Sequence, residues 1–444
     1  MGKYFGTDGA RGRANVTLTL DMAVKIGQYL GWYYGKEKQA RILIGKDTRL
    51  SSAMFEMGLA AGATSTGASV YLLGVCPTPS VSYIIQNQGF DCGVMVSASH
   101  NPYYDNGLKL FNSQGMKMNA EVEEQIEEYI DGATTIPLAL DDAIGQVIPY
   151  SSGMDIYKSY LRECVNIDLK GMHIALDLAN GSATSCAYDI LTSLGAKVDV
   201  LHASPNGVNI NTNCGSTHPE ELQHTMKNGK YDVGFAFDGD ADRLIAVNED
   251  GELVNGDHIL YICGCHMFDK HALKDHTVVT TVMSNLGLYR AFDRKGIAYE
   301  QTAVGDKYVF ECMLQHDYDI GGEQSGHIIF KKYANTGDGL LSALKLLEVM
   351  KETGLSLKAL SQDLFIYPQL LQNVQVKNKQ EALKDPALLA CIDEVAKELG
   401  DEGRILVRPS GTEPLVRVMV EAKTDELCEK YVSYVVNFIK TKGL

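Results

Sequence analysis

The sequence predicts an α/β fold of three similar units followed by a smaller α+β module. Three observations predict it. Short β-branched or apolar runs alternate with amphipathic, helix-compatible stretches; several of those runs end in Asp, Gly, Ser or Asn; and the pattern changes after about residue 369. Strand–helix–strand alternation of this kind reads as parallel or mixed sheets covered by helices.

The first unit shows the pattern in Arg41-Ile42-Leu43-Ile44-Gly45-Lys46-Asp47, a helix-compatible stretch over 55–66 and the strand-like Ser69-Val70-Tyr71-Leu72-Leu73. The second contains Met172-His173-Ile174-Ala175-Leu176-Asp177, and the third Thr277-Val278-Val279-Thr280-Thr281-Val282. A Gly/Thr/Pro/Ser-containing connection at 131–153 and an Asn/Asp/Gly-rich turn at 248–256 set boundaries near 150 and 252. The expected domains are therefore 1–150, 151–252, 253–368 and 369–444. The last has strands at 373–376, 404–407 and 416–421 and helices over 386–399 and 425–441.

At 444 residues the chain is long enough for several domains of ~100–200 residues each. Hydrophobic residues make up 45% and charged residues 22%, a globular balance. Apolar runs such as 231–237 and 277–283 fall far short of the ~20 residues that span a bilayer. The segment Met1–Gly6 has no basic stretch leading into an apolar one, and the ten cysteines lack paired spacing. Both point to a reduced, cytoplasmic setting. Cys263-Gly264-Cys265-His266 lacks the second ligand pair of a zinc site and reads as structural. The formal net charge of −16 argues against nucleic acid or an anionic membrane as partner. It leaves room for a small anionic substrate held by local basic groups.

Four stretches carry the chemistry. Asp238-Gly239-Asp240-Ala241-Asp242-Arg243 lies between two apolar runs, and alternate side chains of an extended segment share a side. Three carboxylates at that spacing suit a hard cation such as magnesium. A calcium loop does not fit, because Arg243 stands where that loop needs glycine. Ser97-Ala98-Ser99-His100-Asn101-Pro102 follows an apolar strand and places Ser99 in a tight loop, with Lys109 shortly downstream. The nucleophile elbow of a serine hydrolase is absent. Serine, a magnesium-type triad and a lysine together favour phosphoryl chemistry, which is mostly positioning and charge neutralisation. Arg408-Pro409-Ser410-Gly411-Thr412-Glu413-Pro414, with Arg417 beyond it, offers the groups that grip a phosphate. After the strand-like Tyr318-Asp319-Ile320, Gly321-Gly322-Glu323-Gln324-Ser325-Gly326-His327 offers hydrogen-bonding partners for sugar hydroxyls and a proton-relaying histidine.

These four motifs, in this order and preceded by Phe5-Gly6-Thr7-Asp8-Gly9-Ala10-Arg11-Gly12, resemble the α-D-phosphohexomutase superfamily over the whole chain. Gln324, Cys214-Gly215-Ser216-Thr217-His218-Pro219-Glu220 and Thr336-Gly337-Asp338-Gly339 make it most similar to the branch acting on hexosamine phosphates. Ala10 and Lys307 depart from the common Val and Arg without touching the phosphoryl-transfer groups. The resemblance implies a central cleft, a phosphoserine at Ser99, and one Mg²⁺ held by Ser99, Asp238, Asp240 and Asp242. It implies charge balance by Arg243 and Lys109, and Arg11 lining the cleft near Ser99. Glu323 and Ser325, with His327, would hold the sugar. Arg408, Ser410, Gly411, Thr412 and Arg417 would hold its phosphate on a hinged fourth domain. Proton transfer would fall to Lys109, His327 or His100. The implied reaction interconverts glucosamine 6-phosphate and glucosamine 1-phosphate through a hexose bisphosphate, feeding amino-sugar and cell-wall synthesis, in a monomer or homodimer. A relative acting on mannose or glucose phosphates, or a sugar-phosphate phosphatase, is the alternative.

Overall fold

A computed structural model describes residues 2–410 and 415–443. They form four sheets, the first three mixed and the last antiparallel. The chain divides into two compact units: Met1–Met283 with Ile297–Ser361, and Ser284–Gly296 with Gln362–Leu444.

In the first unit, a seven-stranded sheet runs in the order Phe5–Gly6, Gly9–Arg13, Asp105–Asn112, Cys92–Val96, Arg41–Lys46, Ser69–Val75, Val147–Pro149. The strands Cys92–Val96, Arg41–Lys46 and Ser69–Val75 are parallel, the first wholly and the second largely buried. The expected helix over 55–66 is Ser52–Ser65. It packs on Leu20–Tyr34 so closely that a Cβ on Gly62 would stand 2.0 Å from the Val24 carbonyl oxygen. The second sheet is built on Val233–Phe237 beside His173–Asp177, and the third on Thr277–Thr281.

One device recurs in all three sheets. A strand that belongs to the parallel set ends in a short loop, and the next strand returns antiparallel beside it. Cys92–Val96 returns as Asp105–Asn112, Val233–Phe237 as Leu244–Val247, and Ile320–Gly322 as Ile328–Phe330. The three loops so formed are the Ser99, Asp238 and Glu323 motifs. Ligands of α/β folds collect at such strand ends.

Two local expectations change. The strand expected at Tyr318–Ile320 begins only at Ile320, because Asp317 takes a left-handed cap and the Tyr318 amide still bonds back to Met313. The acidic motif is a turn rather than an extended segment. Ala241 has φ 55°, and its amide bonds to the Asp238 carbonyl. The carboxylates therefore converge because the chain folds over between them, not by strand alternation.

The second unit has the antiparallel order Gln369–Gln375, Leu415–Glu421, Arg404–Pro409, covered by Pro386–Leu399 and Asp425–Lys442. Buried Glu421 ties in the segment from Ser284: its carboxylate accepts from the Leu286 amide at 2.8 Å and from Arg404 Nε at 2.7 Å.

Candidate active site

The Ser99 loop and the acidic turn meet in the first unit. Ser99 Oγ donates to Asp238 Oδ2 at 2.5 Å, although 139 residues separate them. Asp238, Asp240 and Asp242 each offer an oxygen, and these lie within 4.8 Å of one another. All three are at most 5% exposed, as is Ser99 at 1%. Ser99 has φ 52°, a left-handed conformation that costs a serine about 1–2 kcal/mol.

Charge explains how such a cluster folds. Lys109 projects from the returning strand and donates to Asp240 Oδ2 at 2.7 Å and Asp242 Oδ2 at 3.1 Å, and also lies 3.2 Å from Asp8. Burial alone would lower its pKa, but Asp240, Asp242 and Asp8 outweigh it and hold the ammonium well above the lysine range. Asp242 is likewise penalised by burial yet driven well below the carboxylate range by Lys109, His327 and Arg243. Asp238 goes the other way, pushed up by burial and by the charges of Asp242 and Asp240. Among the described residues, Asp240 Oδ1 and Asp242 Oδ1 are buried without a hydrogen-bond partner. An all-oxygen set with orphaned lone pairs fits a hard divalent cation, so the acidic triad could bind a metal.

The cationic groups surround this centre. Arg11, on Gly9–Arg13, pairs with Asp8. Arg243 Nη1 lies 3.3 Å from His100 Nδ1, itself 3.3 Å from Ser99 Oγ. Burial, Arg243 and Arg11 lower the His100 pKa to about 4, so its imidazole is neutral near pH 7. His327 is buried, and its Nε2 accepts the Gly337 amide at 2.9 Å. A proton therefore remains at Nδ1, which faces Asp242 Oδ1 at 3.7 Å. Glu323 Oε1 accepts the Gly305 amide at 3.0 Å, and Ser325 is exposed.

Arg408 and Arg417 sit directly opposite each other on neighbouring strands of the second unit. Burial and the charge of Arg417 lower the Arg408 pKa, and the Nε atoms of both are buried without partners among the described residues. Two adjoining guanidiniums with spare donors are complementary to an anion. Ser410 is buried beside them in sequence; Gly411 and Thr412 lie outside the described residues.

Three groups escaped the sequence reading. Thr78 hydroxyl donates to Asp240 Oδ2 at 2.5 Å. Asp8 collects Arg11, Lys109 and Lys117. Asp306 pairs with Lys117 and lies 3.6 Å from His327 Nε2. Apart from Arg11, three residues from Asp8, their partners are distant in sequence, so local spacing did not mark these roles. A further cluster, Asp177, His202 and Cys214, has metal-ligand atoms within 4.8 Å of one another. There the imidazole lies between Asp177 at 3.1 Å and Glu221 at 3.2 Å, with its pKa raised first by Asp177.

Known proteins match the chain along nearly its whole length. The four phosphoglucomutase/phosphomannomutase domains match in order: alpha/beta/alpha domains I, II and III at residues 2–136, 155–251 and 255–367, and the C-terminal domain at 371–438. The chain belongs to the phosphoglucomutase/phosphomannomutase family of phosphohexomutases, which are isomerases. Relatives named phosphoglucosamine mutase come from Lachnoclostridium phytofermentans at 55% identity and Bacillus subtilis at 49%, each covering 100% of this chain and 99% of the relative. Among solved structures, a phosphoglucomutase/phosphomannomutase family protein from Burkholderia thailandensis aligns with TM-score 0.82 at 24% identity, covering 99% of this chain and 98% of that one. An Aspergillus fumigatus N-acetylphosphoglucosamine mutase, solved with GlcNAc-6P and magnesium, aligns with TM-score 0.72 at 18% identity, covering 99% and 96%. At those identities the solved structures speak for the fold.

Proposed function

We propose that this phosphohexomutase interconverts glucosamine 6-phosphate and glucosamine 1-phosphate, with Ser99 as the phosphoryl carrier. The observation that carries the reading is the Ser99 hydroxyl 2.5 Å from Asp238 within the acidic triad. Phosphoglucosamine mutases at 49% and 55% identity over the whole length support the amino-sugar substrate.

In the forward direction, the sugar's O1 attacks the phosphorus of phosphoserine 99, its proton leaves to a base, and Ser99 Oγ departs. The resulting hexose bisphosphate turns end for end. Its 6-phosphoryl group then returns to Ser99 Oγ, leaving the 1-phosphate. Asp238, Asp240 and Asp242, with the Ser99 oxygen, would hold one Mg²⁺. When bound, it neutralises charge on the phosphoryl oxygens.

The residues divide the remaining work. Lys109, strongly protonated, stabilises the anionic centre and gives up a proton only when its carboxylate partners are otherwise engaged. Arg11 and Arg243 offset negative charge on the transferring group. His100, neutral at physiological pH, is a proton acceptor close to Ser99 Oγ, whereas His327 acts chiefly on Asp242. Glu323 and Ser325 bind sugar hydroxyls. Arg408 and Arg417, with Ser410, Gly411 and Thr412, grip the phosphate that is not reacting. The ten cysteines form no disulfide, in keeping with the cytoplasmic setting read from the sequence, and no helix among the described residues is long and apolar enough to cross a membrane.

The test follows ³¹P resonances of glucosamine 6-phosphate with Mg²⁺ and a catalytic amount of hexose bisphosphate. A mutase converts one monoester into the other with total organic phosphate constant. Steady release of inorganic phosphate would instead mean a phosphatase. Higher kcat/KM on mannose or glucose 1-phosphate would reassign the substrate. Ser99→Ala abolishes turnover, and unchanged turnover would reject the mechanism.

A further inference from the structure

We propose that Arg49 and Asn211 are positioning residues that clamp the carbonyl oxygen of Ser99 and thereby fix the direction of its hydroxyl. The inference rests on the reading of Ser99 as phosphoryl carrier and concerns what keeps that serine in place. Arg49 Nη2 and Asn211 Nδ2 each donate to Ser99 O at 2.8 Å. They approach from different sheets. Arg49 follows the strand Arg41–Lys46 of the first sheet, and Asn211 lies in the connection after Lys197–Leu201 of the second. Both are buried, at 3% and 8% exposure.

Each clamp is itself held. Arg49 Nε donates to Asp47 Oδ2 at 2.8 Å, and the same carboxylate oxygen accepts Ser97 Oγ at 2.6 Å. Ser97 Oγ in turn accepts the Ser99 amide at 3.1 Å. The two peptide groups flanking Ser99 are thus tied through one ring to a single aspartate. Arg49 also reaches the carbonyls of Pro102 and Asp105, and Asn211 that of Asn101 at 3.2 Å, so the whole loop hangs on the two side chains.

On the far side, the Asn211 amide bonds to the Ala179 carbonyl at 3.0 Å, and Asp177 accepts the Gly215 amide at 2.9 Å. Gly239 of the acidic turn closes the remaining space: a Cβ there would stand 2.5 Å from Ser99 O and 2.8 Å from Asn211 Nδ2. Among the described residues, the side-chain hydrogen bonds of Arg49 and Asn211 reach carbonyls and Asp47, and none reaches the triad. They act through Ser99. Because φ 52° is unfavourable for serine, a loop released from its clamps relaxes and carries Oγ away from Asp238.

The experiment compares Asn211→Ala, Asn211→Ser and Arg49→Lys with the native enzyme. Three quantities are read: kcat, KM for glucosamine 6-phosphate, and the rate at which Ser99 gains a phosphoryl group from hexose bisphosphate, followed by intact mass. We expect kcat and the phosphorylation rate to fall together by about 10²-fold, the scale of an ångström-sized misplacement. KM stays within about twofold, since no sugar contact is removed. Folded variants that phosphorylate Ser99 and turn over at the native rate overturn the clamp, as does a loss confined to KM. Should Arg49→Lys fail to fold, the two Asn211 variants decide. A native enzyme that turns over but is never phosphorylated on Ser99 overturns the carrier reading beneath the clamp, and with it the clamp.

Discussion

At the scale of single residues, the acidic triad is unequal. Asp240 Oδ2 accepts both Thr78 and Lys109, while its other oxygen is buried without a hydrogen-bond partner among the described residues. Asp240→Asn keeps the size but removes one charge and one ligand oxygen. We expect the upward shift in Tm on adding Mg²⁺ to shrink or vanish and turnover to fall by at least about 10²-fold, a typical loss for one electrostatic stabiliser. A thermal-shift titration beside a rate assay checks both. Ser99, Lys109 and the aspartates were legible in the sequence because each lies in a short motif whose residue types already state their chemistry. Thr78, Asp47, Arg49 and Asn211 were not. Thr78 meets Asp240 across 162 residues, and Asn211 meets Ser99 across 112. Only the folded chain brings such pairs together.

At the scale of elements, alternation of apolar runs and helical stretches revealed the strands well, because burial sets that period. It did not reveal how closely two helices pack. On Ser52–Ser65, a methyl at Gly62 would stand 2.0 Å from the Val24 carbonyl oxygen, whereas one at Gly58 meets the flexible Leu20 Cδ1 at 2.6 Å. Replacing either glycine by alanine gains about 1 kcal/mol of helix propensity. Overpacking against a rigid backbone costs ~1–3 kcal/mol. Gly62→Ala should therefore lower stability in a denaturant titration, and Gly58→Ala should cost less or nothing.

The helix Ala120–Ile130 supports a pH prediction. Half-buried Glu123 lines a cavity of about 770 Å³ with Lys117 and Lys307. Burial raises its pKa from 4.5 to about 7 despite both lysines. A raised folded-state value stabilises fully below the unfolded value, and that contribution is lost as pH rises through about 7. Relative to Glu123→Gln, the native protein should thus lose stability between pH 4.5 and 7, by on the order of 1 kcal/mol after solvent screening. Thermal melts of both across that range would show parallel curves if Glu123 titrates normally.

At the scale of the whole molecule, the sequence suggested a small α+β module from about residue 369, since its pattern changes there. The compact C-terminal unit also includes Ser284–Gly296, which lies far upstream in the chain. Composition could not show this, because the bonds responsible join residues more than eighty positions apart. Asn285 Nδ2 donates to the Tyr367 carbonyl at 2.9 Å, its Oδ1 accepts the Tyr367 amide at 2.9 Å, and the Leu286 amide donates to Glu421 at 2.8 Å. Arg404 completes the set by binding both Glu421 and the Ser284 carbonyl. A chain ended after Ser361 would lose every one of these partners while keeping Ser284–Gly296. Its buried amides would be left to bond with water, at about 1–3 kcal/mol for each group that stays buried and unpaired. We expect that truncated chain to melt below the native protein and to protect the amides of 284–296 poorly in hydrogen exchange, even where the strands around Ser99 stay protected. Equal protection of 284–296 in both chains would mean that the segment belongs to the first unit instead.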